Sequence, residues 1–156
     1  MVYPKFVDEN VAFSPMPHPE DIPKLAEEFD AVVVLTYEYE LYYDLEELTK
    51  RGVEVLHAPI EDFTAPSLEE LLEIVEWIEE RARKGKKVLV HCLGGSGRSG
   101  TVATAYLMYA HGLPLRDALA KVRSLKPSAV ETEEQMEVLK ELEEYLRKSR
   151  FLNKKE

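Results

Sequence analysis

Residues 91–101 read His91-Cys92-Leu93-Gly94-Gly95-Ser96-Gly97-Arg98-Ser99-Gly100-Thr101. The apolar run before them, residues 88–90, predicts a buried strand, and residues 102–108 after them predict a packed helix. A glycine-rich turn between a strand and a helix directs backbone N–H groups inward, and such a turn binds phosphate at the helix N-terminus. The sequence therefore predicts an anion site formed by residues 93–98.

Cys92 and Arg98 lie at the two ends of this turn. The positive potential of an anion site favours the thiolate form of a cysteine. The planar guanidinium of Arg98 is suited to bind two phosphate oxygens at once. Together the two residues predict attack of the Cys92 sulfur on phosphorus. The alternative for Cys92 is a buried structural thiol, because free cysteine is among the most buried residue types.

The spacing of Cys92 and Arg98, with His91 before them and Ser99-Gly100-Thr101 after them, resembles the signature of cysteine-dependent protein tyrosine and dual-specificity phosphatases. In length and layout the chain is similar to small archaeal-type members of that family. The resemblance implies a three-layer α/β fold of the phosphotyrosine-phosphatase type, with a mostly parallel central sheet flanked by helices. It also implies a metal-independent phosphatase that uses no cofactor.

The resemblance assigns roles to several residues of the turn. Residues Leu93, Gly94, Gly95, Ser96 and Gly97 match the segment that binds the phosphate together with Arg98. His91 matches the histidine that steadies the loop by hydrogen bonding and helps to tune the thiolate. Ser99 matches the hydroxyl that stabilises the thiolate as it leaves in the second step. The alternatives are an ordinary core histidine and an ordinary serine at a helix N-terminus.

A loop at residues 59–66, Pro-Ile-Glu-Asp-Phe-Thr-Ala-Pro, provides a candidate general acid. Phosphate ester cleavage needs a proton donor, because an alkoxide is a poor leaving group. The family carries this acid on a loop after a strand, as an Asp followed four residues later by a Pro, and Asp62 and Pro66 match that spacing. The alternatives are ordinary turn chemistry and a role for the neighbouring Glu61 in place of Asp62.

Residues 126–135 resemble the family loop whose glutamine orients the water that hydrolyses the phosphoenzyme. Gln135 is the only glutamine of the chain, although a solvated helix residue is also compatible with its position. Glu131 is a candidate base for the same step, or a first-turn acid that complements the helix dipole. The family often has Arg where Lys126 stands, so a role of Lys126 in holding this loop is left open.

The chain of 156 residues predicts a single domain, residues 1–156. Strands are predicted at residues 11–13, 31–35, 53–57 and 87–90, and helices at residues 19–29, 40–51 and 67–84. Two helices follow the cysteine turn, split near residues 112–114, and a last helix begins near Thr132. Ser67 is the predicted N-cap of its helix. Strands that alternate with helices predict a mostly parallel sheet covered on both faces.

The charge of the chain is unevenly distributed. The net charge is −10, yet residues 81–126 hold ten basic side chains and one acid, Asp117. This basic segment could attract anions to one face, or it could be an ordinary solvated surface. The acidic whole disfavours nucleic acid as a partner. A charged fraction of 32%, rich in Glu and Lys, is typical of thermophilic proteins.

No apolar run reaches the length of a membrane span, and no signal-peptide pattern is present, so we expect a cytoplasmic protein without a membrane partner. A single cysteine excludes an intrachain disulfide. We expect a monomer that acts on phosphorylated proteins. The short chain predicts a shallow cleft that admits phosphotyrosine, phosphoserine and phosphothreonine. The tyrosines at residues 37, 39, 42 and 43 could line its entrance, although packing is the favoured interpretation.

Several alternative functions stay open. Residues 95–100 match Gly-x-Gly-x-x-Gly, but a dinucleotide fingerprint needs a second strand and an acid about 20 positions on, and no such strand is predicted. An RNA 5′-triphosphatase or a small-molecule phosphatase could use the same fold. A phosphoinositide phosphatase usually has basic residues between the Cys and the Arg, and residues 93–97 contain none. A phosphate-binding module without turnover is the remaining alternative.

Overall fold

The structure, a computed structural model, describes residues 3–155, with side chains through Arg150. Within this range the strands are β1 (Lys5–Phe6), β2 (Val11–Ser14), β3 (Ala31–Val34), β4 (Glu54–His57) and β5 (Val88–His91). The α-helices are α1 (Ile22–Glu28), α2 (Glu46–Thr49), α3 (Leu68–Arg83), α4 (Arg98–His111), α5 (Leu115–Leu125) and α6 (Glu133–Lys155). Short 3-10 turns lie at Pro19–Asp21 and Glu38–Glu40.

The five strands form one sheet in the order β1-β2-β5-β3-β4. β5 lies at the centre and pairs in parallel with both β2 and β3, and β4 pairs in parallel with β3. Only the short β1 runs antiparallel, against β2, among the strands of residues 3–155. The predicted mostly parallel sheet is confirmed. The C-terminal ends of the four parallel strands meet at one edge, where Cys92 follows β5.

Helices cover both faces of the sheet. Val88 and Val90 of β5 point into a large core that α3, α4, α5 and α6 cover, whereas Leu89 points into a second core covered by α1 and α2. All three side chains are fully buried, as expected for a central strand with both faces covered. The predicted three-layer α/β architecture is confirmed.

The helices begin and end at recognisable signals. Ser67 is the N-cap of α3 as predicted: its Oγ accepts the Glu70 N–H at 3.1 Å, and Glu70 Oε1 accepts the Ser67 N–H at 3.4 Å. Gly112, at φ +69°, separates α4 from α5 and confirms the predicted split. Within the described residues, no helix combines the length and apolar character that crossing a bilayer requires.

The predicted helix over residues 40–51 is wrong in extent. Only Glu46–Thr49 is α-helical there, and Glu40 ends a 3-10 turn instead. The Glu40 carboxylate accepts the Tyr37 N–H at 2.9 Å and closes this turn, while Asp44 Oδ1 accepts the Glu46 N–H at 3.0 Å at the start of α2. Side chains that bond to nearby N–H groups compete with a continuous helix. The two-residue strand β1 was also missed, because it is too short to show periodicity.

Two residues of the basic segment, Arg81 and Lys86, lie away from the Cys92 end of the sheet. Arg81 Nη2 and Lys86 Nζ each lie 2.9 Å from a carboxylate oxygen of Glu54. Glu54 is the first residue of β4, so these ion pairs lie at the N-terminal edge of the sheet, opposite Cys92. For Arg81 and Lys86, the interpretation as ordinary surface charges is therefore the correct one.

Candidate active site

The turn at residues 92–97 joins the central strand β5 to the N-terminus of α4. Gly95 adopts φ +77°, a conformation that favours glycine, and a Cβ added there would lie 2.6 Å from the Pro15 nitrogen. Leu93 O accepts the Met16 N–H at 2.9 Å, which attaches the turn to the segment after β2. Gly94 is exposed, whereas Gly95, Ser96 and Gly97 are buried. The phosphate loop thus packs closely against the segment after β2.

The Cys92 sulfur lies inside the phosphate loop. Its residue is 2% exposed, and its Sγ accepts the Gly95 N–H at 3.3 Å. Ser99 Oγ, in the first turn of α4, lies 3.1 Å from the same sulfur. When the sulfur is a thiolate it has no proton to donate, and the Ser99 hydroxyl then becomes the donor. The structure thus brings the Ser99 hydroxyl within hydrogen-bonding distance of the Cys92 sulfur.

Arg98 is a buried cation at the start of α4, 2% exposed. Its Nη1 donates to Ile60 O at 2.8 Å, and the guanidinium holds the Glu40 carboxylate with two bonds of 2.9 and 3.1 Å. Asp62 Oδ1 lies 3.5 Å from Nη2. Burial alone lowers the pKa of Arg98, but the hydrogen bonds to Glu40 together with the negative charges of Cys92, Glu40 and Asp62 outweigh it and raise that pKa above its usual value. Glu40 thereby fixes both the charge and the orientation of Arg98.

The remaining guanidinium nitrogen of Arg98, Nε, is buried and has no hydrogen-bond partner in the described structure. A buried donor without a partner costs about 1–3 kcal/mol, so such groups are uncommon outside functional sites. An oxyanion held by the loop amides can accept this N–H, since guanidinium groups bind oxyanions strongly. The unpartnered Nε therefore indicates that Arg98 is prepared for an anionic ligand.

His91 acts on the loop as a neutral ring. The Cys92 carbonyl can only accept, so His91 Nδ1, 3.1 Å away, carries the proton. Nε2 then accepts the hydroxyl proton of Tyr43 at 2.7 Å. Burial lowers the pKa of His91 to about 4 and raises the pKa of Tyr43 above its usual value. His91 thus orients the Cys92 backbone by hydrogen bonding and brings no positive charge to the sulfur.

The loop after β4 brings Asp62 to the phosphate loop. Of the two neighbouring acids, Asp62 faces Arg98 while Glu61 is exposed. The side chain of Asp62 remains 41% exposed, so an ester oxygen arriving from solvent can reach it. Phe63 follows at φ +67°, and its N–H donates to Asp62 Oδ1 at 2.9 Å. The geometry favours Asp62 over Glu61 as the candidate acid.

Gln135 is fully buried and its amide is largely engaged. Its Oε1 accepts the N–H groups of Glu131 and Thr132 at 2.8 and 3.2 Å, and its Nε2 donates to Thr64 O at 3.2 Å. A Cβ added at Gly97 would lie 2.9 Å from Gln135 Nε2 and would also collide with the Glu131 carboxylate. Both predicted residues therefore lie against the phosphate loop.

Sequence reasoning missed several residues that support the site. Glu40 and Tyr43 contact partners 58 and 48 positions away, and nothing in the local pattern marks them. Ser128 Oγ lies 2.7 Å from Ser96 Oγ. Arg123, and not Lys126, holds the loop before α6, because its guanidinium donates to the carbonyls of residues 129 and 130 at 2.9 and 3.0 Å.

The tyrosine cluster divides into two groups. Tyr43 is buried against His91, with the two ring centroids 5.8 Å apart. Tyr37 and Tyr39 stack on each other in the 3-10 turn that carries Glu40, and both are exposed, as is Tyr42. The packing interpretation therefore holds for Tyr43, while Tyr37 and Tyr39 lie next to the partner of Arg98. Among residues 3–155, no three His, Cys, Asp or Glu side chains are grouped so as to hold a metal ion.

The chain is similar to known proteins in sequence and in fold. The crystal structure of Tk-PTP in the active form is 66% identical and superposes with a TM-score of 0.88, covering 90% of this chain and 96% of that chain. Dual specificity protein phosphatase Mpk3 of Drosophila melanogaster is 40% identical over 96 residues, 61% of this chain and 23% of that protein. Phosphatidylglycerophosphate phosphatase PTPMT2 of Arabidopsis thaliana is 30% identical over 137 residues, 86% of this chain and 60% of that protein.

The chain spans only part of the curated relatives that it matches, 16% of one and 60% of another. A family model described as the catalytic domain of dual specificity phosphatases matches residues 19–145, which include the phosphate loop, the Asp62 loop and the start of α6. The chain belongs to the dual-specificity phosphatase family.

Proposed function

We propose that the protein is a metal-independent protein phosphatase that hydrolyses phosphotyrosine, and also phosphoserine and phosphothreonine, through a cysteinyl-phosphate intermediate. One observation carries the proposal: Arg98 is buried with its Nε unpartnered, and it begins α4 directly after the loop whose Gly95 N–H donates to the Cys92 sulfur. This arrangement stabilises negative charge at the place where a phosphoryl group would be attacked.

In the first step the Cys92 thiolate attacks phosphorus. A sulfur–phosphorus bond forms while the bond from phosphorus to the ester oxygen breaks. Arg98 and the loop N–H groups hold the three remaining oxygens as charge develops on them. Asp62, half-exposed and 3.5 Å from Arg98, gives its proton to the departing ester oxygen.

In the second step a water molecule attacks the phosphorus of the intermediate. Its oxygen bonds to phosphorus as the sulfur–phosphorus bond breaks, and the thiolate returns to Cys92, where the Ser99 hydroxyl can donate to it. Glu131, whose carboxylate lies against Gly97, is the proposed base that takes the water proton. The Gln135 amide is the proposed donor that orients the water. Inorganic phosphate then leaves.

The surroundings of the site favour a peptide over an anionic lipid surface. Glu38, Glu61 and Glu131 are exposed around the phosphate loop, and residues 93–97 contain no lysine or arginine. Acidic side chains at this position repel an anionic membrane and a polyanionic RNA end. The exposed rings of Tyr37 and Tyr39 offer a surface on which an aromatic or apolar flank of a phosphopeptide can pack.

The first test is the hydrolysis of p-nitrophenyl phosphate in EDTA by the wild type and by Cys92→Ser, across pH and at two temperatures. We expect turnover by the wild type alone. Turnover by Cys92→Ser would overturn the mechanism, and a folded but inactive wild type would favour a phosphate-binding module.

A second assay compares phosphotyrosine and phosphoserine peptides with phosphatidylglycerophosphate vesicles and triphosphate-ended RNA. We expect the highest kcat/KM for the peptides. A higher value for the lipid would assign the chain to the activity named for its Arabidopsis relative, and a higher value for RNA would make it a triphosphatase.

A further inference from the structure

The loop that carries Asp62 is attached to the molecule at both ends. At its beginning, Arg98 Nη1 donates to Ile60 O at 2.8 Å. At its end, two adjacent residues of the first turn of α6 hold it: Ala65 N–H donates to Glu134 Oε2 at 2.9 Å, and Gln135 Nε2 donates to Thr64 O at 3.2 Å. Glu134 and Ala65 are 69 positions apart in sequence, so this is a tertiary contact.

Between these attachments the loop has little support of its own. Its internal hydrogen bonds run from the Thr64 N–H and hydroxyl to Glu61 O, at 3.1 and 2.7 Å, and from the Phe63 N–H to Asp62 Oδ1, at 2.9 Å. Phe63 has a left-handed φ of +67°, a conformation that a bulky residue adopts only when its surroundings impose it. Its side chain is 61% exposed, so packing of the ring does not hold the turn in place. The contacts to α6 are therefore well placed to impose this turn.

We propose that Glu134 is a positioning residue for the general acid. By binding the Ala65 N–H it fixes the C-terminal side of the turn, and it thereby holds Asp62 over the phosphate loop before substrate arrives. The inference rests on the proposed function, in which Asp62 protonates the leaving oxygen. Catalytic geometry is demanding, since a misplacement of about 1 Å can cost about 100-fold in rate.

The same helix turn provides a matched control. Glu133 and Glu134 both lie in the first turn of α6, and both are exposed. Either carboxylate can complement the helix dipole, but in the described structure only Glu134 bonds to the Asp62 loop. A loss confined to Glu134 variants therefore reports the contact with Ala65 and not the charge at the helix end.

The experiment measures kcat/KM for two esters, p-nitrophenyl phosphate with a good leaving group and phenyl phosphate with a poor one. Glu134→Ala should lower kcat/KM for phenyl phosphate about tenfold and change the value for p-nitrophenyl phosphate less than about twofold. Glu134→Gln keeps an oxygen acceptor for the Ala65 N–H and should stay near the wild type. Glu133→Ala should match the wild type with both esters, and thermal melting should show that every variant is folded.

A double-variant cycle with Asp62→Asn completes the test. If Glu134 acts through Asp62, adding Glu134→Ala to Asp62→Asn should cause no further loss. An equal loss for both esters, an equal loss in Glu133→Ala, or a further loss in the double variant would overturn the proposal. If Asp62→Asn itself slows both esters equally, the assigned acid fails. If Asp62→Asn behaves as expected and Glu134→Ala matches the wild type, only the positioning role fails.

Discussion

At the scale of single residues, both the stability of the protein and its activity should depend on the ion pair of Arg98 with Glu40. The side chains are 1% and 11% exposed, and a buried charge that loses its partner is strongly destabilising. Glu40→Ala should lower the free energy of unfolding by about 3 kcal/mol and kcat/KM by about tenfold or more. Denaturant titration and ester hydrolysis measure the two effects.

Glu38→Ala is the control for this prediction, since Glu38 lies exposed in the same 3-10 turn. Glu40→Gln should fall between Glu40→Ala and the wild type, because the amide oxygen still accepts one bond from Arg98. A Glu40→Ala protein as stable as Glu38→Ala would show that Arg98 finds another partner in the fold.

Because His91 is buried, the stability of the folded protein should depend on pH. The pKa of His91 is about 4 in the folded protein, because the ring is buried, and about 6.5 in an unfolded chain. Between pH 6.5 and pH 4, His91 is protonated in the unfolded state but neutral in the folded state. The free energy of unfolding therefore falls as the pH drops towards 4. The slope within this window is at most about 1.4 kcal/mol per pH unit.

Denaturant titrations between pH 7 and pH 4 measure this slope. His91→Asn should flatten it, whereas His18→Asn, at an exposed position, should leave it unchanged. An unchanged slope in His91→Asn would assign the acid sensitivity to other groups.

At the scale of elements, α4 contains Gly100, although glycine is disfavoured inside a helix. Alanine is favoured over glycine in a helix by about 1 kcal/mol, yet a Cβ added at Gly100 would lie 2.9 Å from the Ala129 Cβ and 3.2 Å from the Val130 nitrogen. Backbone cannot move aside as a flexible side chain can. Gly100→Ala should therefore destabilise the protein, by about 1–2 kcal/mol.

A thermal or denaturant melt checks the sign of this change. Combining Gly100→Ala with Ala129→Gly removes the nearest colliding atom and should recover part of the loss. A stabilised Gly100→Ala protein would show that the loop before α6 can move away from α4.

The same elements show how far the sequence predicts this molecule. The phosphate loop and the Ser67 cap depend on residues within a few positions, so their patterns are visible locally. The attachment of Asp62 through Ala65 and Glu134 joins residues 69 positions apart, and the Glu40 bond to Arg98 joins residues 58 apart. Such contacts form only when the folded sheet brings distant segments together. They therefore cannot be predicted from a local sequence pattern.

At the scale of the whole molecule, Asp8 lies in the turn between β1 and β2 and links these two strands to α4 by hydrogen bonds. Its Oδ2 accepts Tyr106 Oη–H at 2.6 Å and lies 2.8 Å from His111 Nε2, and its Oδ1 accepts the N–H groups of residues 10 and 11. Burial raises the pKa of Asp8, but the hydrogen bonds from Tyr106, His111 and the N–H groups of residues 10 and 11 together outweigh it, and that pKa lies below its usual value of 3.8.

Asp8→Asn should lower the free energy of unfolding by about 1–3 kcal/mol. The single amide oxygen cannot accept the two side-chain bonds as well as the two backbone bonds, and the amide nitrogen accepts none. The depressed pKa stabilises the folded protein above pH 3.8, and this contribution is lost as the pH falls below that value. An acid titration of stability should therefore be shallower in Asp8→Asn than in the exposed control Glu9→Gln. If Asp8→Asn and Glu9→Gln lost stability at the same pH, the proposed contribution of Asp8 to acid sensitivity would be excluded.

The outer strand β4 has an open edge, and open edges invite strands of other molecules to add to the sheet. The ion pairs of Glu54 with Arg81 and Lys86 place three charged side chains at the start of that edge. An added strand would have to strip water from these charges before it could pair. Exposed ion pairs of this kind contribute little to the stability of one molecule. In a concentrated solution, these charges should oppose aggregation through the β4 edge.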